Sequence, residues 1–171
     1  MRRSRKKKGV TLMEVLLAAA LMSVVFLAFT ALYTSSQRLY LAANNQVIIR
    51  YELQYAVQHI YRNVMRGIGD KVSPPIDIPS ADTLNIRIND NDPLNGTNYP
   101  SVVTYTYSKS GDDLWFNNGV DPLQSLVSKI DISDVTFSLD GDLLVLSLTG
   151  VYNNESLTFH AACYPRLASF R

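Results

Sequence analysis

The sequence predicts an α+β fold: a long N-terminal spine helix, its first half transmembrane, packed on an antiparallel β-sheet domain. Three observations carry this expectation. Six basic residues, Arg2, Arg3, Arg5, Lys6, Lys7 and Lys8, precede an apolar run from Val10 to Tyr33 in which Glu14 is the one ionisable residue. No proline or glycine occurs between Val10 and Arg66. From Ser73 onward the apolar spacing changes from a helical period to a period of two.

At about 1.5 Å per residue, Val10–Tyr33 makes a helix of roughly 36 Å, enough to cross a hydrocarbon core of about 30 Å. A secretory signal peptide has a shorter apolar core, about 7–15 residues, and ends at a small-x-small site. Ala28-Phe29-Thr30 and Phe29-Thr30-Ala31 are poor sites of that kind, and the one cysteine, Cys163, is far from a lipoprotein position. The segment is therefore expected to stay with the protein. The basic head stays cytoplasmic by the positive-inside rule, which puts residues after Tyr33 across the membrane.

Beyond the membrane segment an apolar stripe continues at Val47, Tyr51 and Tyr55, with Leu53, Val57, Ile60, Val64 and Ile68 on an adjoining line. Steps of three and four are helical. Gln54, Gln58, Arg62, Asn63 and Arg66 fill the other sides, with His59 on the polar side, and Gly67 and Gly69 end the helix. One helix of about 55 residues follows from this pattern; the alternative is a pair of helices broken at Thr34-Ser35-Ser36. The expected boundaries are a leader at 1–9, a membrane half of the helix at 10–34, a domain half at 35–69 and a sheet domain at 70–171.

In that domain Leu84, Ile86 and Ile88 alternate with polar residues. Val103, Tyr105 and Tyr107 lead through Gly111-Asp112-Asp113 to Leu114 and Phe116, a hairpin pattern. Val135, Phe137 and Leu139 lead through Asp140-Gly141-Asp142 to Leu144, Leu146 and Leu148, a second hairpin with an Asp-Gly turn signal. Leu157, Phe159 and Ala161 follow Asn153-Asn154 as a last strand. About six strands laid on one helix suit an α+β domain.

Glu14 needs a chemical reason, since a carboxylate within a membrane helix costs about 2.5–3.5 kcal/mol on insertion scales. One reading has it reach headgroups at the cytoplasmic face. Another combines it with Gly9: a cut between Gly9 and Val10 exposes an α-amine four residues from Glu14, and that amine can neutralise the carboxylate of a neighbouring chain. Gly9-Val10-Thr11-Leu12-Met13-Glu14 resembles the cleavage and methylation motif of type IV pilins and type II secretion pseudopilins. The resemblance implies that a prepilin peptidase cuts after Gly9 and methylates Val10, and that Glu14 docks the subunit in a filament. The family usually has Phe where this chain has Val10, and major pilins often have a proline where it has Ala31. The latter favours a minor subunit. Tyr51 to Ile60 with Arg62 and Gly67, and the run from Val135 to Tyr164, resemble PilW-type minor pilins.

The implied mature chain is acidic. The full sequence has 16 Lys+Arg and 15 Asp+Glu; without the six basic leader residues, 10 face 15, a net charge of −5. That balance argues against nucleic acid as a partner, because phosphate affinity comes mainly from Lys and Arg. The expected partners are the prepilin peptidase, other major and minor pilins or pseudopilins, and inner-membrane lipid before assembly. Asp90, Asp92 and Asn95 are calcium candidates in a loop rich in oxygen ligands, although Pro93 breaks the spacing and such clusters are ordinarily turns. Asp112, Asp113 and Asp121 read as turn residues, and Asn95-Gly96-Thr97 and Asn154-Glu155-Ser156 fit a short glycosylation pattern. Cys163 reads as a buried small hydrophobe. Tyr51, Tyr55, Tyr105 and Tyr107 read as packing residues rather than an adhesive patch, and Trp115 falls on a strand. His59 and His160 lack the clustered partners of a catalytic or metal site, so no enzyme activity is expected. A filament subunit leads, ahead of a pilus-tip adhesin or DNA-uptake receptor and of a simple anchored domain.

Overall fold

The computed structural model describes residues 11–69, 73–90 and 101–165. Helix α1 spans Leu12–Val64 without interruption, so Thr34-Ser35-Ser36 does not break it. The chain divides into two compact units, Met1–Ala43 and Asn44–Arg171.

In the first unit α1 exposes its large apolar side chains all round, among them Leu16, Leu21, Val25, Phe26 and Phe29. It is long and apolar enough to cross a membrane by length and composition. Three of its hydroxyls bond to backbone carbonyls of the helix itself. Ser23 Oγ donates to Ala20 O at 2.7 Å, Thr30 Oγ1 to Phe26 O at 2.8 Å and Thr34 Oγ1 to Thr30 O at 3.0 Å. Such back-bonding leaves these three without need of water, which an apolar medium does not supply.

The second unit begins within α1. Ile49, Leu53, Ala56, Ile60 and Val64 are fully buried, at steps of four, three, four and four. The companion line expected from the sequence is not: Val47, Tyr51 and Tyr55 are 65%, 72% and 53% exposed. Asn63, expected on a polar side, is buried instead, and so is most of Glu52. The Glu52 carboxylate accepts a hydrogen bond from the Ser128 N–H at 3.1 Å, which ties the segment around Leu126–Ile130 to the helix. After Val64 the chain turns through Gly67, which bridges to Ile88, and Ile68 N–H donates to Arg87 O at 2.8 Å.

Eight strands among the described residues, rather than about six, form two antiparallel sheets. The first holds β1 (Ile76–Ser80), β2 (Thr83–Asp90), β3 (Ser101–Ser110), β4 (Asp113–Asn117) and β5 (Gln124–Ser125), in that order. The second holds β6 (Asp131–Asp140), β7 (Leu143–Tyr152) and β8 (Glu155–Cys163). The two extra strands are those a sequence pattern hides: β1 contains Pro79, which is tolerated because β1 is an edge, and β5 is two residues long. Both expected hairpins are present. Gly111 and Gly141 each take the first position of a two-residue turn with φ of +63°, and Asn153 and Asn154 both have positive φ, the two arrangements favoured in tight hairpins.

Period-two burial follows from the pleat. Leu84, Ile86, Ile88, Tyr107, Leu114 and Phe116 face inward from the first sheet, and Phe137, Leu144, Leu146 and Leu148 from the second. A bulge between Ile132 and Asp134 shifts the inward set, so that Ile132 and Val135 are both buried although three residues apart. Backbone bonds join the sheets: Phe137 N–H donates to Ala81 O and Ile132 N–H to Asp112 O, each at 2.7 Å. The outer side of β6 is therefore occupied by turns of the first sheet.

Gly150 sets how close the helix comes. A Cβ there would lie 2.7 Å from Ile130 Cδ1, 3.1 Å from Ile49 Cγ2 and 3.3 Å from Leu53 Cδ2. The absent side chain makes the seat for α1 on β7.

Candidate functional site

Thr11 and Glu14 open the helix as a reciprocal pair. Thr11 Oγ1 accepts from the Glu14 N–H at 3.3 Å, while the Glu14 carboxylate accepts from the Thr11 N–H at 3.3 Å. The Thr11 hydroxyl also reaches Glu14 Oε2 at 3.5 Å. Thr11 O receives the first helical bonds, from Glu14 N at 3.0 Å and Val15 N at 3.2 Å. This is a capping box, in which two of the four unpaired N–H groups at a helix start find side-chain partners. The positive end of the helix dipole also favours a carboxylate at this place.

Glu14 thus has a local structural job besides the docking role the resemblance implies. The sequence carries the signal, Thr-x-x-Glu just before an apolar run, which adds Thr11 to the residues of interest. Gly9 and Val10, the expected cleavage and methylation positions, lie outside the described residues. A cut between them would leave the Thr11 amide intact, so the box is compatible with processing.

The calcium candidates do not come together as a described site. Asp92 and Asn95 lie outside the described residues, and the Asp90 backbone pairs with Ser101 at the end of β2. Among the described residues no group of three or more His, Cys, Asp or Glu is placed to hold a metal ion. Asp112 sits in the β3–β4 turn, as expected. Asp121 N–H donates to Asn118 Oδ1 at 2.7 Å, and the Asp121 carboxylate accepts from Asn118 Nδ2 at 2.7 Å, closing a small surface loop.

His59 departs from its expected polar side. Its ring meets Phe116 edge-on at 4.7 Å and Tyr107 at 5.8 Å between centroids. Asn63 Nδ2 donates to the Tyr107 hydroxyl at 2.6 Å, and that hydroxyl lies 3.0 Å from His59 Nδ1. The hydroxyl is thus held by both side chains, and which of the Tyr107–His59 pair donates follows from the His59 tautomer. Burial, helped by the nearby Arg62 charge, holds the His59 pKa below its ordinary value of 6.5. Burial drives the Tyr107 phenol well above its usual range. Both groups are thus neutral, and the trio serves as a polar clamp between α1 and β3 with no nucleophile or acid–base pair around an open cavity.

Cys163 is buried at the end of β8, and burial pushes its thiol up to about 11, so it behaves as a small apolar side chain. Trp115 is half-buried on β4, its indole N–H donating to Ser110 O at 3.3 Å. Tyr107 is fully buried and Tyr105 partly so, as expected, whereas Tyr51 and Tyr55 face outward.

Residues 4–30 match the family described as the prokaryotic N-terminal methylation motif. No curated protein matches the chain, and no solved structure does. The matched stretch takes in Arg5 to Lys8 of the basic head, Gly9, the capping box and the first part of the apolar helix. The start of the chain is therefore similar to that of prokaryotic proteins processed at such a motif, and the likeness supports a type IV pilin-like or pseudopilin chain, cut by a prepilin peptidase and anchored by its apolar helix.

Proposed function

We propose that this chain is a minor pilin or pseudopilin. It is inserted in the inner membrane with its N-terminus cytoplasmic and its sheet domain periplasmic. A prepilin peptidase cuts between Gly9 and Val10 and methylates the Val10 amine. The mature helix then enters a type IV pilus or related filament, with Glu14 docking against the amine of a neighbouring subunit. The subunit acts in assembly initiation or at the tip, among other minor pilins of which the PilW type is the best likeness. The chemical work of processing and polymerisation belongs to partner enzymes.

What carries the reading is the methylation motif matched at residues 4–30, which includes the start of an apolar helix that begins at Leu12. The absence of a proline at Ala31 and the acidic mature charge favour a minor subunit over a shaft subunit or a DNA receptor. The test is the N-terminal mass of the membrane-fraction protein from cells with and without the peptidase. A start at methylated Val10 that disappears with the peptidase supports the reading. A Met1 start in both cells refutes it, and the chain is then an anchored domain.

A further inference from the structure

Strand β8 closes the second sheet on one side and, among the described residues, pairs with β7 alone. An open edge presents a row of backbone N–H and C=O groups, and proteins usually blunt it with prolines, charged side chains or bulges. The other edge of this sheet is handled that way: β6 carries a bulge and is bonded to Ala81 and Asp112. β8 has no such device over most of its length. It runs for nine residues with an unbroken register against β7, and after Glu155 it contains no Asp, Glu, Lys, Arg or proline.

The surroundings are arranged for an added strand. The inward residues of β7 are fully buried beneath α1, whereas Leu157, Phe159 and Ala161 on β8 are only partly covered. Beside them lies an open groove of about 480 Å³, lined by Arg50 from α1 and by Leu157, Thr158, Phe159 and His160. The Arg50 side chain is exposed and makes no ion pair among the described residues. Among the described residues no carboxylate lines the groove, so Arg50 makes it a basic spot on a domain with an acidic total charge.

We propose that this groove receives an extended segment of another polypeptide, which adds to β8 as a fourth strand of the sheet and sets a carboxylate against Arg50. Backbone pairing supplies the affinity, alternate side chains cover Leu157 and Phe159, and the guanidinium selects an acidic residue. The inference does not depend on processing at Gly9 and stands whether or not the filament reading holds.

The test uses the full chain in detergent and a blocked ten-residue peptide of alternating threonine and valine with a central glutamate. Amide exchange of Glu155–Cys163 is followed as the peptide is titrated. Saturable slowing of exchange in β8 is expected, with binding weakened about two- to five-fold by Arg50→Ala or by lysine in place of the peptide glutamate. A backbone N-methylated peptide should not bind. Unchanged β8 exchange at saturating peptide, or equal binding of the N-methylated form, overturns strand addition. Equal affinity in Arg50→Ala overturns the acidic choice. Protection of β8 that rises with protein concentration in the absence of peptide makes the occupant a second copy and overturns the proposal as stated.

Discussion

Replacing Glu14 by Gln and, separately, by Ala distinguishes its two jobs. In the folded chain its carboxylate caps the helix by accepting from the Thr11 N–H at 3.3 Å, an exposed contact at the long end of hydrogen-bond range. Such a cap is worth about 0.5–1 kcal/mol. Gln keeps the acceptor that the capping box requires and loses only the charge; Ala loses both. In the filament reading the carboxylate faces the Val10 amine of a neighbour among apolar helices. Removing one member of a buried ion pair costs about 3–5 kcal/mol, because the other is left unpaired. That is a factor of more than ~100 in the assembly equilibrium. Capping alone would leave Glu14→Gln near the wild type and lower Glu14→Ala about five-fold at most. The assay is the ratio of subunit in sheared filaments to subunit left in the membrane, measured for all three proteins at equal expression. Both variants are expected to insert normally and to be nearly absent from filaments. Wild-type incorporation of Glu14→Gln would refute the docking charge and leave Glu14 as a cap.

Two further outcomes test the domain itself. Gly150→Ala places a methyl group 2.7 Å from Ile130 Cδ1 and 3.1 Å from Ile49 Cγ2. Overpacking of this size costs about 1–3 kcal/mol, so the urea midpoint should fall; an unchanged or higher midpoint would mean that α1 does not seat on β7 so closely. His59 is neutral in the fold because burial lowers its pKa from 6.5, so below that pH the unfolded chain binds a proton that the folded chain resists. Stability should therefore decline as pH falls below about 6.5. His59→Gln, which can still hydrogen-bond to Tyr107, should remove that part of the slope; identical pH profiles for the two proteins would contradict the clamp.

Local chemistry made much of this protein legible from its residues alone. The basic head, the apolar run and the lack of proline and glycine up to Arg66 suffice for one long helix, because helical bonding is local and nothing in that stretch opposes it. Alternation and turn residues likewise identify both hairpins. Thr11 was legible too, by the spacing of a capping box. Other features depend on partners far away in the chain. Two apolar lines run along the domain half of α1, one through Tyr51 and Tyr55 and one through Leu53 and Ile60, and periodicity does not rank them. The choice falls to the line that meets the bare backbone at Gly150, where the helix can come close. Asn63 and His59 look like surface residues until Tyr107, 44 and 48 positions on, provides the hydrogen bonds that make their burial affordable. The division into two sheets, with β6 joined by its backbone to the turns of the first, is likewise a product of tertiary contact, since an inward-facing strand residue reads the same whichever sheet it lies in.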